Sequence, residues 1–276
     1  MLGFTLDWGT ATDRGHSRAV NEDALLAEPP VFLVADGMGG HRAGDTASAI
    51  VVDEFNGQPG AEVVTSEWII GAFDRADVRI RSGGGGGTTV AGIALVHQRA
   101  RTYWLVFNIG DSRVYRCAAG ALTQVTVDHS VVQELFDQGQ ITAAQLRGHP
   151  DRHVITRAVG LSDQVRPDFW LLPLEAGERL MLCSDGLTTE VEEQDIAAVV
   201  AGSPDAQSAA DSLVQLALDG GGRDNVTAVV VDVLAVGGQD GRGTRRADDA
   251  GAVDDTGAID DTTAPRIEQT DRGARA

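Results

Sequence analysis

Four aspartates in the chain share one kind of position, because each lies where an apolar run able to form a β-strand begins or ends. They are Asp36, Asp111, Asp185 and Asp224. Each one alone is explained as a turn residue, since aspartate is disfavoured inside strands. Together, carboxylates delivered by the rims of central strands would converge, and their mutual repulsion would demand cations. Oxygen ligation, without a Cys/His pair at zinc spacing, predicts Mg²⁺ or Mn²⁺.

Two glycines and one arginine extend this pattern. Gly37 and Gly186 directly follow aspartates, which predicts a backbone that turns tightly or presents a carbonyl oxygen to a metal. Arg18 lies close before the acidic pair Glu22 and Asp23. Arginine holds phosphate with two parallel hydrogen bonds. Alone, Arg18 is explained as a surface residue, but beside a metal pair it predicts a phosphate ester as substrate.

The elements that must position these residues follow from the hydrophobic pattern. Apolar, β-branched runs predict strands at Val31–Ala35, Thr88–Val96, Tyr103–Ile109, Val114–Cys117, Leu180–Cys183 and Val226–Val233. Helical spacing predicts helices at 47–55, 67–81 and 209–217. The second and third strands are too close for a crossover helix, so we expect a hairpin. The sum is an antiparallel-rich α+β domain with helices outside the sheets.

The run Gly83–Gly87 invites a comparison with phosphate-binding loops. Such a loop needs a helix that opens immediately after the glycines. Here Thr88 opens a predicted strand, so we interpret the glycines as a connection between a helix and a strand.

Composition excludes several classes of protein. The 276 residues carry 41 acidic and 22 basic side chains, a net charge of −19, which argues against a nucleic-acid partner. Apolar residues make up 42%, as in an ordinary globular protein, and no apolar run reaches the roughly 18 residues of a membrane span. Two cysteines are too few for a disulfide framework. We therefore expect a cytoplasmic protein without a membrane contact.

Domain organisation follows from a change in composition near residue 236. Residues 1–235 are expected to form one domain, and residues 236–276, rich in aspartate doublets and poor in large apolar side chains, a disordered acidic tail. The tail is explained either as a plain solvated segment or as a docking or regulatory segment.

Eight short motifs between Thr12 and about Val233 carry a family resemblance. They are, in order, Arg18–Asp23, Asp36–His41, Gly87–Thr89, Gly110–Arg113, Asp128–Ser130, Ile155–Gly160, Ser184–Leu187 and Gly222–Asn225. In this order they resemble the PPM-type, or protein phosphatase 2C-like, metal-dependent serine/threonine phosphatases, especially the compact bacterial members. The resemblance implies a four-layer α-β-β-α sandwich, with two central antiparallel sheets flanked by helices and a metal site at one end of the sheets.

The resemblance also implies how the site is used. Asp36 would bridge two Mn²⁺ or Mg²⁺ ions, the carbonyl of Gly37 would ligate one of them, and Asp185 and Asp224 would hold the other. Asp111, together with Asp185, would bind a third and weaker ion. The reaction would be hydrolysis of phosphoserine or phosphothreonine by a metal-bound water or hydroxide.

Further roles are implied around these ligands. Arg18 would bind the substrate phosphate, while Glu22 and Asp23 would order water molecules on the metals. The region from Asp128 to about His153 resembles the flap that borders the cleft in those enzymes. The substrates would be phosphoproteins, in particular substrates of Hanks-type kinases, and the protein would act as a monomer.

One position departs from part of the family. Met38 stands where some members, notably animal ones, have a histidine proposed as a general acid, and a thioether cannot donate a proton. His41 lies nearby and is interpreted either as a catalytic group or as a histidine that hydrogen-bonds the metal-binding turn.

Two other functions are compatible with parts of the sequence. A catalytically silent, metal-binding regulatory module would keep the fold without the reaction. The motif Gly110-Asp111-Ser112 is also found at the start of some esterases, which would make Ser112 a nucleophile with a histidine base.

Overall fold

The structure, a computed structural model, describes residues 3–40, 43–57, 62–98, 101–161 and 165–237. The strands within these ranges are β1 Phe4–Asp13, β2 Asp23–Glu28, β3 Val31–Met38, β4 Gly87–Thr88, β5 Val90–Gln98, β6 Arg101–Ile109, β7 Arg113–Ala118, β8 Ala121–Gln124, β9 Asp168–Pro173, β10 Arg179–Cys183 and β11 Val226–Val236. The helices are α1 Ala43–Asn56, α2 Ser66–Ser82, α3 Val131–Asp137, α4 Ala143–Leu146, α5 Asp185–Glu190, α6 Glu193–Gly202 and α7 Ala206–Gly220. His41 and almost all of the expected tail lie outside the described residues.

The described strands form two antiparallel sheets. Sheet I has the order β1-β11-β10-β7-β8, and sheet II has the order β2-β3-β5-β6-β9 with β4 paired to β3. The predicted hairpin is confirmed, since β5 and β6 pair antiparallel along their whole length. Helix α1 packs on sheet II, and α2 packs against α1 and contacts sheet II through the rings of Phe73 and Phe107. Helices α6 and α7 pack on sheet I. The predicted α-β-β-α sandwich is therefore confirmed.

Alternating side chains place the core in three layers. On β10, Leu180 and Leu182 point between the sheets, whereas Met181 and Cys183 point to the helices on sheet I. This alternation is the period-two pattern of a strand with both faces buried. Strand β10 is thus packed on both faces, and the end from which it delivers Asp185 is held rigidly.

The outer helices begin at residues that satisfy free backbone groups. Thr65 caps α2 by accepting a hydrogen bond from the amide of Trp68, and Asp205 caps α7 by accepting one from the amide of Ser208. A side-chain oxygen at this position replaces a partner that the first turn of a helix lacks. Among the described residues, no helix is long and apolar enough to cross a membrane.

Differences from the predicted elements have local causes. The strand predicted at Thr88–Val96 is interrupted at Thr89, whose amide donates to the carbonyl of Asp36 instead of continuing the ladder. Asp36 does not end its strand, because β3 continues to Met38 through pairing with β4. The predicted set lacks β1, β2, β8 and β9. Strands β1 and β8 mix partly buried with exposed side chains, so their apolar runs are weak. The apolar runs of β2 and β9 are short, at Ala24–Ala27 and Phe169–Leu172.

Candidate metal centre

One cleft, about 790 Å³ in volume, opens where strands of both sheets end. Its walls include all four aspartates singled out in the sequence, Asp36, Asp111, Asp185 and Asp224. The prediction that these carboxylates converge is confirmed. Asp36 comes from β3 of sheet II, while Asp185 and Asp224 flank β10 and β11 of sheet I. The cleft therefore lies across the junction of the two sheets.

Asp36 is held by its own main chain. Its amide donates to the hydroxyl of Thr89 at 3.2 Å, and its carbonyl accepts from the Thr89 amide and the Thr88 hydroxyl, both at 2.9 Å. Three hydrogen bonds to the two peptide groups that flank Asp36 leave its backbone little freedom. Its carboxylate is thus directed by rigid structure and not by a loop.

The glycines after the aspartates serve close approach and not a tight turn. A Cβ on Gly37 would lie 2.3 Å from the carbonyl oxygen of Gly44, and a Cβ on Gly186 would lie 1.9 Å from that of Asn225. Neither glycine has a positive φ. The alternative of a tight turn is wrong, because β3 continues through Gly37 and α5 begins before Gly186. Only a residue without a side chain allows these backbones to meet.

Asn225 joins the segments that carry the N-terminal and C-terminal site residues. Its side-chain oxygen accepts from the amide of Glu22 at 2.8 Å, and its amide group donates to the carbonyls of Arg14 and Val20. Asn225 belongs to the predicted motif Gly222–Asn225, but its motif alone indicates no role for it. Its position directly after Asp224 was the available signal.

Asp23 lies beside the cleft and is bound by two hydroxyls. One carboxylate oxygen accepts from Ser184 at 2.8 Å and from Thr227 at 2.7 Å, while the other is buried without a hydrogen-bond partner. Glu22 lines the cleft, and its Oε1 is likewise buried without a partner. Buried oxygens of this kind are costly unless water or an ion satisfies them.

Electrostatics at the site favour a bound cation. Burial raises the pKa of Asp36 well above its usual range, and repulsion from Asp23, Asp185, Asp111 and Asp224 adds to the effect. Burial also raises the pKa of Asp111, with repulsion from Asp185 and Asp128. A bound cation would oppose both shifts, because it stabilises the charged carboxylates that burial and mutual repulsion disfavour.

The side chains fit ions that keep part of their water shell. Within the part of the chain that the structure describes, no three carboxylate, histidine or cysteine groups are close enough to enclose one ion. Mg²⁺ is commonly held by one or two carboxylates and several waters. The orphan oxygens of Glu22 and Asp23 are suited to receive hydrogen bonds from such waters. The donor set is therefore compatible with hard divalent ions.

Two basic side chains contact the aspartates. Arg18 donates to Asp224 at 2.6 Å and is half exposed. His153, on the segment after α4, has its Nδ1 3.7 Å from a carboxylate oxygen of Asp185. Arg152, His153 and Arg223 also line the cleft, and sequence reasoning gave none of them a role. Their signal was weak, because isolated basic residues are common on any surface.

The esterase alternative is not supported by the position of Ser112. This side chain is fully buried, and its hydroxyl hydrogen-bonds the hydroxyl of Thr89 at 2.7 Å. A nucleophilic serine needs an exposed oxygen and a histidine base within hydrogen-bond reach.

Two antiparallel sheets between helical layers, with an acidic cleft at one end, define a class of metal-dependent phosphatases. No protein-family model matches the chain. The phosphatase PstP of Mycobacterium tuberculosis is 35% identical over an alignment of 249 residues that covers 84% of this chain. The chain spans only 46% of the length of that relative. Protein phosphatase PhpP of Streptococcus pneumoniae is 32% identical over an alignment of 238 residues that covers 80% of this chain and 95% of PhpP.

Solved structures agree with these relatives. A crystal structure of the M. tuberculosis phosphatase PstP superposes with a TM-score of 0.76 at 35% identity, covering 83% of this chain and 99% of that one. A structure of the PstP catalytic domain with two manganese ions has a TM-score of 0.73 at 34% identity, with 83% and 99% covered. The chain belongs to the PPM-type serine/threonine protein phosphatases. Membership in a family whose relatives are named phosphatases does not favour the silent-module alternative.

Proposed function

We propose that this chain hydrolyses phosphoserine and phosphothreonine esters in proteins with the help of divalent metal ions. The observation that carries the proposal is the convergence of Asp36, Asp111, Asp185 and Asp224 on one cleft. Arg18 lines the same cleft and provides a guanidinium group that can bind the phosphate of the substrate. The bound manganese in a PstP structure supports metal dependence.

The residues proposed to hold the ions are those of the cleft wall. Asp36 and the carbonyl of Gly37 would hold one ion, and Asp36, Asp185 and Asp224 would hold the other, in part through water, because no three of the described acidic side chains lie close enough to enclose an ion directly. Asp111 and Asp185 are assigned to a third, weaker ion. Mn²⁺ or Mg²⁺, when bound, supplies a water nucleophile at neutral pH and neutralises charge on the phosphoryl oxygens.

Arg18 is proposed to hold the phosphate of the substrate. Its guanidinium is partly exposed and reaches the carboxylate of Asp224, so it lies beside the proposed ligands. Planar guanidinium groups match two oxygens of a phosphate. The unpartnered oxygens of Glu22 and Asp23 are proposed to accept hydrogen bonds from ordered waters and so to orient them.

The finer aspects of function are proposed from the family resemblance and from the state of the cysteines. Phosphoproteins made by Hanks-type kinases are the expected substrates, and the chain is expected to act as a monomer. Cys117 and Cys183 are free and buried, as is common in a reducing compartment, which supports a cytoplasmic location.

The test is hydrolysis of p-nitrophenyl phosphate and of a phosphothreonine peptide with added Mn²⁺ or Mg²⁺. We expect metal-dependent turnover that stops with chelator. Asp36→Asn should lower kcat by at least about a thousandfold, because this carboxylate is assigned to both ions. Asp74→Asn, which changes an exposed aspartate on α2, is the matched control and should leave kcat unchanged.

Two results would contradict the proposal. Turnover that persists in chelator, or in a well-folded Asp36→Asn protein, would show that the cleft does not work through bound metal. No turnover with either metal and either substrate, in folded wild-type protein, would favour the silent regulatory module.

A further inference from the structure

His129 lies buried between the loop that carries Asp111 and strand β9. Its ring Nδ1 accepts a hydrogen bond from the amide of Gly110 at 3.1 Å, and its main-chain amide donates to the carbonyl of Gly110 at 2.9 Å. Its Nε2 lies 3.2 Å from the carboxylate of Asp168. Because an amide can only donate, Nδ1 carries the lone pair, and the ring proton lies on Nε2, directed at Asp168.

The same histidine joins both ends of the segment that borders the cleft, residues 128–157. Near one end of this bordering segment is His129 itself, and at the other the amide of Thr156 donates to the His129 carbonyl at 2.8 Å. Arg157 donates to the second oxygen of Asp168 at 3.0 Å. The ring of His129 is thus held by Asp168 of β9. Its main-chain carbonyl, through the Thr156 amide, joins the two ends of the bordering segment.

Gly110 lies between His129, which it contacts, and Asp111, which lines the cleft. Its φ of +101° is a conformation that favours glycine, and a Cβ there would lie 2.5 Å from Cγ2 of Thr89. The side-chain amide of Asn108 also donates to the Gly110 carbonyl at 3.1 Å. Both peptide groups of this glycine are therefore fixed, and the next residue is Asp111. A displaced Gly110 would displace the Asp111 carboxylate.

We propose that His129 is a positioning residue that fixes Gly110 through its Nδ1 and thereby directs the Asp111 carboxylate towards Asp185. The inference rests on the proposed function, because it takes Asp111 as a ligand of the weakest ion. His129 touches neither substrate nor ion in this arrangement. It couples the bordering segment to the affinity of the cleft for that ion.

Two substitutions separate the two ends of the ring. Asn places an oxygen where Nδ1 lies, so His129→Asn keeps the acceptor for Gly110 and loses the donor to Asp168. Gln places its amide near Nε2, so His129→Gln keeps a donor to Asp168 and loses the acceptor for Gly110. The pair is matched in polarity, and only the Gln variant breaks the contact that the proposal requires.

The measurement is Mn²⁺ binding by calorimetry, together with exchange of the Gly110 amide proton in the Mg²⁺-loaded protein. We expect His129→Gln to raise the Kd of the most weakly bound ion at least about tenfold and to speed exchange of the Gly110 amide proton. In His129→Asn we expect the Kd of the weakest ion to stay within about threefold of the wild-type value. The Kd values of the two tighter ions should stay within about threefold of wild type in both variants. Equal effects of the two variants, or wild-type binding in the Gln variant, would overturn the inference.

Asp111→Asn separates failure of this inference from failure of the proposed function. It should abolish binding of the weakest ion. If all ions bind as before, Asp111 is not a ligand, and the inference about His129 is overturned as well. A metal-dependent phosphatase with a normal His129→Gln variant would leave the proposed function standing and overturn the inference. Should the Gln variant not fold, wild-type protein still tests the linkage. Saturating Mg²⁺ should slow exchange of the Gly110 amide, and an unchanged rate would overturn the proposal.

Discussion

Asp23 shows what the acidic site costs the protein when no cation is present. Burial, which outweighs the hydrogen bonds from Thr227 and Ser184, raises the pKa of Asp23 to about 7. The pKa values of Asp36 and Asp111 are raised for the same first reason, burial. The folded protein therefore holds protons that the unfolded chain releases near pH 4.

The sign of the pH effect follows from this difference. Between about pH 4 and pH 7 the folded state binds more protons than the unfolded state, so stability falls as pH rises. Each such proton contributes a slope of up to about 1.4 kcal/mol per pH unit. We expect the unfolding free energy of wild type, relative to Asp23→Asn, to decrease from pH 5 to pH 8 in chelator. Urea unfolding with intrinsic tryptophan fluorescence measures it.

The Asn variant keeps the size of the side chain and removes its titration. Saturating Mn²⁺ at pH 8 should raise the unfolding free energy of the wild-type protein, because ions that bind only the folded state stabilise it. If the difference in unfolding free energy between wild type and Asp23→Asn stays constant from pH 5 to pH 8, folding does not raise the pKa of Asp23.

At the scale of elements, strand β5 makes room for an aromatic cluster through a glycine. Gly92 faces Phe107 on β6, and a Cβ there would lie 2.2 Å from the Phe107 ring. Phe107 in turn stacks on Phe55 of α1, with ring centres 5.5 Å apart. The glycine therefore sets how closely helix α1 can approach sheet II.

The same substitution should have opposite effects in two elements. Gly92→Ala should destabilise the protein by about 1–3 kcal/mol, because the added methyl group overpacks β5 against Phe107. Gly71→Ala, in the middle of α2, should stabilise it by about 0.5–1 kcal/mol, since its Cβ would meet only the flexible end of Arg75. Urea unfolding midpoints compare the two. A neutral Gly92→Ala would mean that the aromatic cluster adapts.

At the scale of the whole molecule, the cleft is built entirely within the body of the chain. Its lining residues lie between Ser17 and Asn225, and the pairing of β1 with β11 ends at Phe4 and Val236. The sequence predicts a phosphatase domain of residues 1–235 and an acidic tail of residues 236–276, and we propose the same division with the boundary after Val236. The end of β11 at Val236 shows that a boundary at 235 would cut the last strand one residue short.

Removal of residues 238–276 should therefore leave catalysis and folding intact. We expect kcat/KM for p-nitrophenyl phosphate within about twofold of the full chain. The Tm should change by no more than about 2 °C, since no described contact is lost. A larger fall in Tm would show that the tail packs on the body. A change in kcat/KM alone would favour the docking or regulatory interpretation.

The sequence by itself determined the strongest elements and the set of acidic residues. The predicted strands around β3, β6, β10 and β11 are confirmed because their continuous apolar runs are buried on both faces, a local signal that survives folding. The family membership is confirmed too, since motif order is a property of the sequence. The roles of Asp36, Asp185, Asp224 and Arg18 stay proposals, which rest on the family resemblance and on the convergence of these side chains at one cleft.

Only the tertiary structure decided which groups meet. Asn225 bonds to Glu22 across 203 positions of sequence, and His129 reaches both Gly110 and Asp168. The raised pKa of Asp36 likewise depends on burial and on carboxylates from distant segments. No local pattern encodes such contacts, because they arise when two sheets pack face to face and bring their strand ends together.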